Sequence, residues 1–125
     1  MRATVAFFGL LALSVGACKS TTNPSKAPHP CDNSGAAATV STTDDYAFTP
    51  DTVTVTVGQA VCFQNLGTLN HFIDGGSGNF GGDLPSGQTL VHTFAFGGNI
   101  LYRCSRHSNE SGTILVKCKP GDISC

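Results

Sequence analysis

The chain of 125 residues carries little charge, 12% of its residues with a net charge of −1, and has no cluster of Lys and Arg that could neutralise a run of phosphates. That argues against nucleic acid as a partner. No apolar run reaches the roughly 20 residues that cross a bilayer as a helix; the stretch from Val5 to Val15 is well short of it. Helix signals are missing throughout. No nucleophile stands beside a base or an oxyanion donor pair, which argues against an enzyme with a small-molecule substrate. The Gly-rich segment from Asp74 to Asp83 lacks the Lys-Ser/Thr ending of a phosphate loop and opens no helix, so it reads as a flexible connection. Calcium held by Asp74 and Asp83 would have too few carboxylates for a hard cation. Methionine occurs only at Met1 and glutamate only at Glu110.

What is present begins with an export pattern: Arg2, the apolar stretch, then the small residues Gly16 and Ala17 immediately before Cys18. The segment Val15-Gly16-Ala17-Cys18 resembles the bacterial lipobox, which implies cleavage after residue 17 and acylation of Cys18; an ordinary cleavable signal is the alternative. Acyl chains on the thiol and on the new amino terminus would anchor the protein stably. The expected address is therefore the bacterial cell envelope, facing the periplasm and attached to a membrane through lipid. Lys19, in place of the Asp that marks inner-membrane retention, favours the outer membrane. The following residues, rich in Ser, Thr and Pro, suit a disordered tether, and residues 18–36 are assigned to anchor and linker. His29 has no partner at a metal-binding spacing and reads as solvated linker.

From about Ala37 the chain changes to short runs of β-branched and aromatic residues separated by Gly, Pro, Asn and Asp, the pattern of an all-β sandwich. Thr52-Val53-Thr54-Val55-Thr56-Val57 alternates with period two, so the valines form a core face and the threonines a wet one. After a turn at Gly58-Gln59, Val61 and Phe63 point inward and Cys62 outward. Further strands are expected at Leu69 to Ile73, Thr89 to Phe96, Ile100 to Cys104 and Gly112 to Val116.

Cys104 and His107 form a Cys-x-x-His pair directly after the strand Leu101-Tyr102-Arg103-Cys104, and His71 ends an upstream strand. Two imidazoles and a thiolate are the ligand set of a trigonal copper site. With Phe48-Thr49-Pro50, the strand Val61 to Asn65, Ser86-Gly87, His92-Thr93-Phe94 and the stretch Gly97 to Val116, the chain from Tyr46 to Val116 resembles the plastocyanin and amicyanin branch of the cupredoxins, the type 1 blue copper proteins. The resemblance implies a Greek-key β-sandwich of about eight strands over residues 37–117, with one copper ion on His71, Cys104 and His107. It also implies an electron carrier with a redox partner protein. His92 matches a strand position and is left structural.

Two departures stand out. Family members with the short loop continue as Cys-x-x-His-x-x-Met, whereas here Cys104-Ser105-Arg106-His107-Ser108-Asn109-Glu110 puts Glu110 at the methionine position. Glu110 either binds the metal axially or points to solvent. An axial carboxylate would favour Cu(II) over Cu(I), and the same four donors suit zinc. Secondly, the family's Asn after the first histidine is absent: Asn70 precedes His71 and Phe72 follows it, so the polar contacts near the thiolate do not carry over intact. Arg106 reads as a solvated loop cation, with a docking role for an acidic partner as the alternative.

With Cys18 assigned to lipid and Cys104 to metal, Cys31, Cys62, Cys118 and Cys125 remain, an even number as an oxidising compartment favours. Four cysteines permit three connectivities. The Pro120-Gly121 turn suits a local bridge between Cys118 and Cys125, leaving Cys31 with Cys62 and residues 118–125 as a Cys-bearing tail. Besides electron transfer, two other functions fit the sequence: copper or zinc binding, storage or delivery without redox turnover, and a metal-free adhesion or assembly sandwich.

Overall fold

The computed structural model describes residues 29–76 and 80–125. The readings of a signal peptide at 1–17, lipidation at Cys18 and a linker up to residue 28 lie outside them. Nine strands run through the described residues: β1 (Ala38–Thr42), β2 (Phe48–Thr49), β3 (Thr52–Thr56), β4 (Ala60–Asn65), β5 (His71–Asp74), β6 (Gly81–Leu84), β7 (Thr89–Thr93), β8 (Gly98–Cys104) and β9 (His107–Lys117). They form a four-stranded sheet in the order β2-β1-β4-β7 and a five-stranded sheet in the order β3-β9-β8-β5-β6. The expected all-β sandwich is what the chain adopts.

Period-two alternation decides which residues face the core. In β3, Val53 and Val55 are buried while Thr52 and Thr54 are exposed. In β9 the inward set is Glu110, Gly112, Ile114 and Val116, and in β8 it includes Tyr102 and Cys104. Phe63, Ile73, Leu84 and Ile114 are among the largest side chains wholly removed from water, each contributing about 1.5–3 kcal/mol of hydrophobic stabilisation. Aromatic rings fill the centre: Tyr102 lies 4.9 Å from Phe48 and 5.2 Å from Phe63, and Phe80 lies 5.4 Å from Phe94. His92 belongs to this array, stacked on Phe80 at 5.1 Å.

Two expectations change, the flexible connection from Asp74 to Asp83 and the linker over residues 29–36. The segment from Asp74 to Asp83 is not simply a flexible connection, because Gly81–Leu84 pairs with β5 as an edge strand, Phe72 opposite Asp83. Its Gly-Gly start has low strand propensity, but a Cβ at Gly81 would collide with the Ile73 carbonyl, so the close pairing requires glycine there. Asp74 and Asp83 each meet an arginine, Asp74 with Arg103 at 3.3 Å and Asp83 with Arg106 at 3.0 Å. Cys62 lies on the outer face of β4 but is fully buried. Residues 29–36, assigned to the linker, fold over it as a turn: His29 N–H donates to Asp32, Cys31 N–H donates 3.0 Å to the Gln64 side-chain oxygen, and Cys31 bonds to Cys62. Directly after β9, Cys118 bonds to Cys125.

The loops at the far end of β1 are knitted together. The Asp44 carboxylate accepts the N–H groups of Thr68 at 2.7 Å and Leu69 at 3.0 Å and the Thr68 hydroxyl at 2.8 Å. Asn65 donates to the carbonyls of Leu69 at 2.6 Å and Leu84 at 3.0 Å, and accepts Gly67 N–H at 2.9 Å. These bonds fix the loop that delivers His71.

Two outcomes follow. Tyr102 and Gly112 are directly paired, and a Cβ at Gly112 would meet the Tyr102 hydroxyl and lie 2.7 Å from the Asp51 carbonyl oxygen. Gly112→Ala is therefore expected to lower stability by about 1–3 kcal/mol in urea unfolding; an unchanged midpoint would mean the strand shifts freely. The backbone N–H of Leu69, with the Thr68 groups, holds the Asp44 carboxyl below its ordinary value of 3.8. Since the folded value is the lower one, the loop contribution is complete above the ordinary carboxylate range and lost as pH falls through the folded value. The Thr68 and Leu69 amide resonances should titrate together with a midpoint below 3.8 in the wild type and lose that transition in Asp44→Asn.

Candidate metal centre

Four strands end their inward faces with a polar residue at the same end of the sandwich. Thr42 follows Val40 on β1, His71 precedes Ile73 on β5, Cys104 follows Tyr102 on β8, and Glu110 precedes Gly112 on β9; all are buried. The alternation that builds the core therefore also points these side chains at one another. His107 joins them through the β8–β9 connection. Regular pairing runs to Arg103 opposite Ser111, then shifts so that Cys104 lies opposite His107. The irregularity brings His107 alongside Cys104 with Ser105-Arg106 as the link.

His71, Cys104, His107 and Glu110 bring one donor atom each into a group lying within 4.8 Å of one another. His71 Nδ1 and His107 Nδ1 are 3.2 Å apart, and Cys104 Sγ is 3.8 Å from the first and 3.4 Å from the second. Metal bonds of ~2.0–2.1 Å to imidazole and ~2.3 Å to thiolate space three trigonal donors about 3.5–3.8 Å apart, close to what is observed. Glu110 Oε2 lies 2.7 Å from His71 Nδ1 and 3.1 Å from His107 Nδ1. The two imidazoles, the thiol and the carboxylate thus fit a single N2SO metal site. Cys104 is the one cysteine without a disulfide among the described residues.

Burial separates the donors. His71 and Glu110 have no exposed side-chain surface, whereas His107 keeps 19%. The alternative of a solvent-facing Glu110 is thereby overturned. Its position is set by β9: residues two, four and six further on are Gly112, Ile114 and Val116, all inward. Glu110 Oε1 accepts a hydrogen bond from the Thr42 hydroxyl, a contact between the two sheets that the sequence reading missed. The alternation of β1, with Val40 inward, was the signal that could have placed Thr42 there.

Around the thiol, Phe72 N–H points at Cys104 Sγ at 3.5 Å and Ser105 N–H donates to Phe72 O at 3.0 Å. A backbone amide supplies the contact near the sulfur whatever side chain follows His71. Asn70 serves elsewhere, accepting Ser86 N–H at 3.2 Å. Tyr46 packs edge-on against His107 with ring centres 4.8 Å apart. His71 Nε2 is buried without a hydrogen-bond partner among the described residues. Arg106 is tied to Asp83 at 3.0 Å on the exposed rim.

No family model and no curated protein matches the chain in sequence. Solved structures do match it in shape. A purple cupredoxin from Nitrosopumilus maritimus superposes with a TM-score of 0.59 at 23% identity, over 64% of this chain and 99% of that one. An oxidised amicyanin mutant gives 0.61 at 21% identity, over 69% and 86%. Amicyanin from Paracoccus versutus gives 0.57 at 19% identity, over 64% and 80%. With its two stacked sheets and the polar cluster at one end, the chain has the cupredoxin fold.

Proposed function

We propose that the chain is a copper-binding electron carrier, exported, lipid-anchored at Cys18 and facing the periplasm, with copper held by His71, Cys104, His107 and Glu110. The observation that carries this reading is the convergence of two imidazole nitrogens, one thiol and one carboxylate oxygen at the buried end of a cupredoxin fold. Copper supplies a one-electron change between Cu(II) and Cu(I). The chain holds its donors in one arrangement: His71 stands behind a loop fixed by Asn65 and Asp44, Cys104 is fixed by β5 and the Phe72 amide, and Glu110 by Thr42. A site so constrained has little to rearrange when its charge changes. His107, the partly exposed donor, is the natural point of electron exchange with a redox partner protein. Glu110 in place of a thioether contributes an anionic, harder donor, which favours Cu(II) and lowers the potential.

A second reading rests on the same carboxylate. Four N, S and O donors are also a zinc set, and a closed, buried Glu110 suits metal holding or delivery without turnover.

The oxidised protein loaded with Cu(II) is expected to show an intense thiolate band that vanishes in Cys104→Ser, together with reversible one-electron reduction. Absence of the band in the wild type would sink the electron-carrier reading and leave zinc, which is checked by a Zn(II)-dependent rise in melting temperature that Cys104→Ser lacks. In Glu110→Gln the midpoint potential should rise and the band should shift, because a neutral oxygen replaces an anionic one. A potential identical to wild type would exclude the carboxylate from the metal.

A further inference from the structure

The Thr42–Glu110 contact has no counterpart in the four-donor set and asks what the hydroxyl contributes. Thr42 is the last residue of β1, in the four-stranded sheet; Glu110 is on β9, in the five-stranded one. Both are wholly buried. An ionised carboxylate only accepts hydrogen bonds, through two oxygens that can each also bind a cation. Here the two oxygens are used differently. Oε1 takes the Thr42 hydroxyl, while Oε2 faces both histidine nitrogens, at 2.7 Å and 3.1 Å. The Thr42 oxygen has another neighbour, the Thr43 carbonyl at 3.4 Å, a far longer contact than that to Glu110.

We propose that Thr42 is a positioning residue that commits Glu110 to donation through one oxygen, reserving Oε1 for the β1 hydroxyl and presenting Oε2 alone to the site. The inference rests on the metal-binding reading of the previous subsection and deepens it. A hydrogen bond to the far oxygen draws electron density from the carboxylate, so the near oxygen is a weaker donor than a free carboxylate would be. Thr42 thus moderates the very ligand that departs from a thioether.

The test compares wild type, Thr42→Val, Thr42→Ser and Glu110→Gln as Cu(II)-loaded proteins by visible spectrum, EPR and midpoint potential. Valine keeps the shape and removes the donor, so both carboxylate oxygens become available. Thr42→Val should lower the potential and shift the thiolate band in the direction opposite to Glu110→Gln, and Thr42→Ser should restore wild-type values. Three results overturn the proposal: values unchanged in Thr42→Val; a rise matching Glu110→Gln, which would mean the hydroxyl merely keeps the carboxylate in the site; or equal shifts in the valine and serine variants. A second readout needs no metal. In the metal-free protein a slowly exchanging Thr42 hydroxyl proton should appear by NMR and vanish in Glu110→Leu, which has no acceptor; its absence from the wild type overturns the proposal. If the wild type shows no thiolate band, the electron-carrier reading falls, and the hydroxyl resonance still decides the Thr42 contact.

Discussion

A carboxylate removed from water is costly by several kcal/mol unless its oxygens are met by hydrogen bonds or charge. Glu110 is such a group, and the end of the sandwich is organised around meeting that demand. The Thr42 hydroxyl comes from one sheet and the two imidazole nitrogens from the other, so the carboxylate closes the gap between the sheets where apolar packing stops. For this to work β1 must end opposite β9, the loop before β5 must hold His71 still, and the β8–β9 connection must turn His107 inward. Each condition has its own device: parallel pairing of β1 with β4, the Asn65 and Asp44 bonds to the 66–70 loop, and the register shift after Arg103.

The sulfur is handled by backbone. Because Phe72 N–H reaches Cys104 Sγ through the extension of β5 alongside β8, the polar environment of the thiol depends on strand geometry and not on which side chain follows His71. The residue before it, Asn70, is thereby free to brace the loop through Ser86. A departure from the plastocyanin and amicyanin sequence pattern next to a donor is in this way compatible with the cupredoxin fold.

Most of this was legible in the sequence because period-two alternation is strong where β-branched residues dominate. The TVTVTV run gave β3 and its buried face, and the ordered set His71, Cys104 and His107 pointed to the cluster. What stayed hidden has physical reasons. Strand β6 is Gly81-Gly82-Asp83-Leu84, whose pairing rests on close backbone approach and not on side-chain propensity. Cysteine arithmetic left Cys31 with Cys62, but the turn that covers Cys62 stayed hidden because the polar residues 29–36 carry no apolar periodicity to mark them as folded. Glu110 remained undecided between metal and solvent because a lone glutamate in a Ser-rich loop has no apolar periodicity; only its register with Gly112, Ile114 and Val116 on one long strand turns it inward.

The bond from Cys31 to Cys62 also sets how the molecule carries a mechanical load. A pull on the N-terminal side enters through Cys31, crosses to β4 in the interior of the four-stranded sheet, and bypasses the chain between. Strands β1, β2 and β3 all lie within the loop that this bond closes. Traction from that side reaches β1 and Thr42 through their pairing with β4 and not along the backbone that leads into β1.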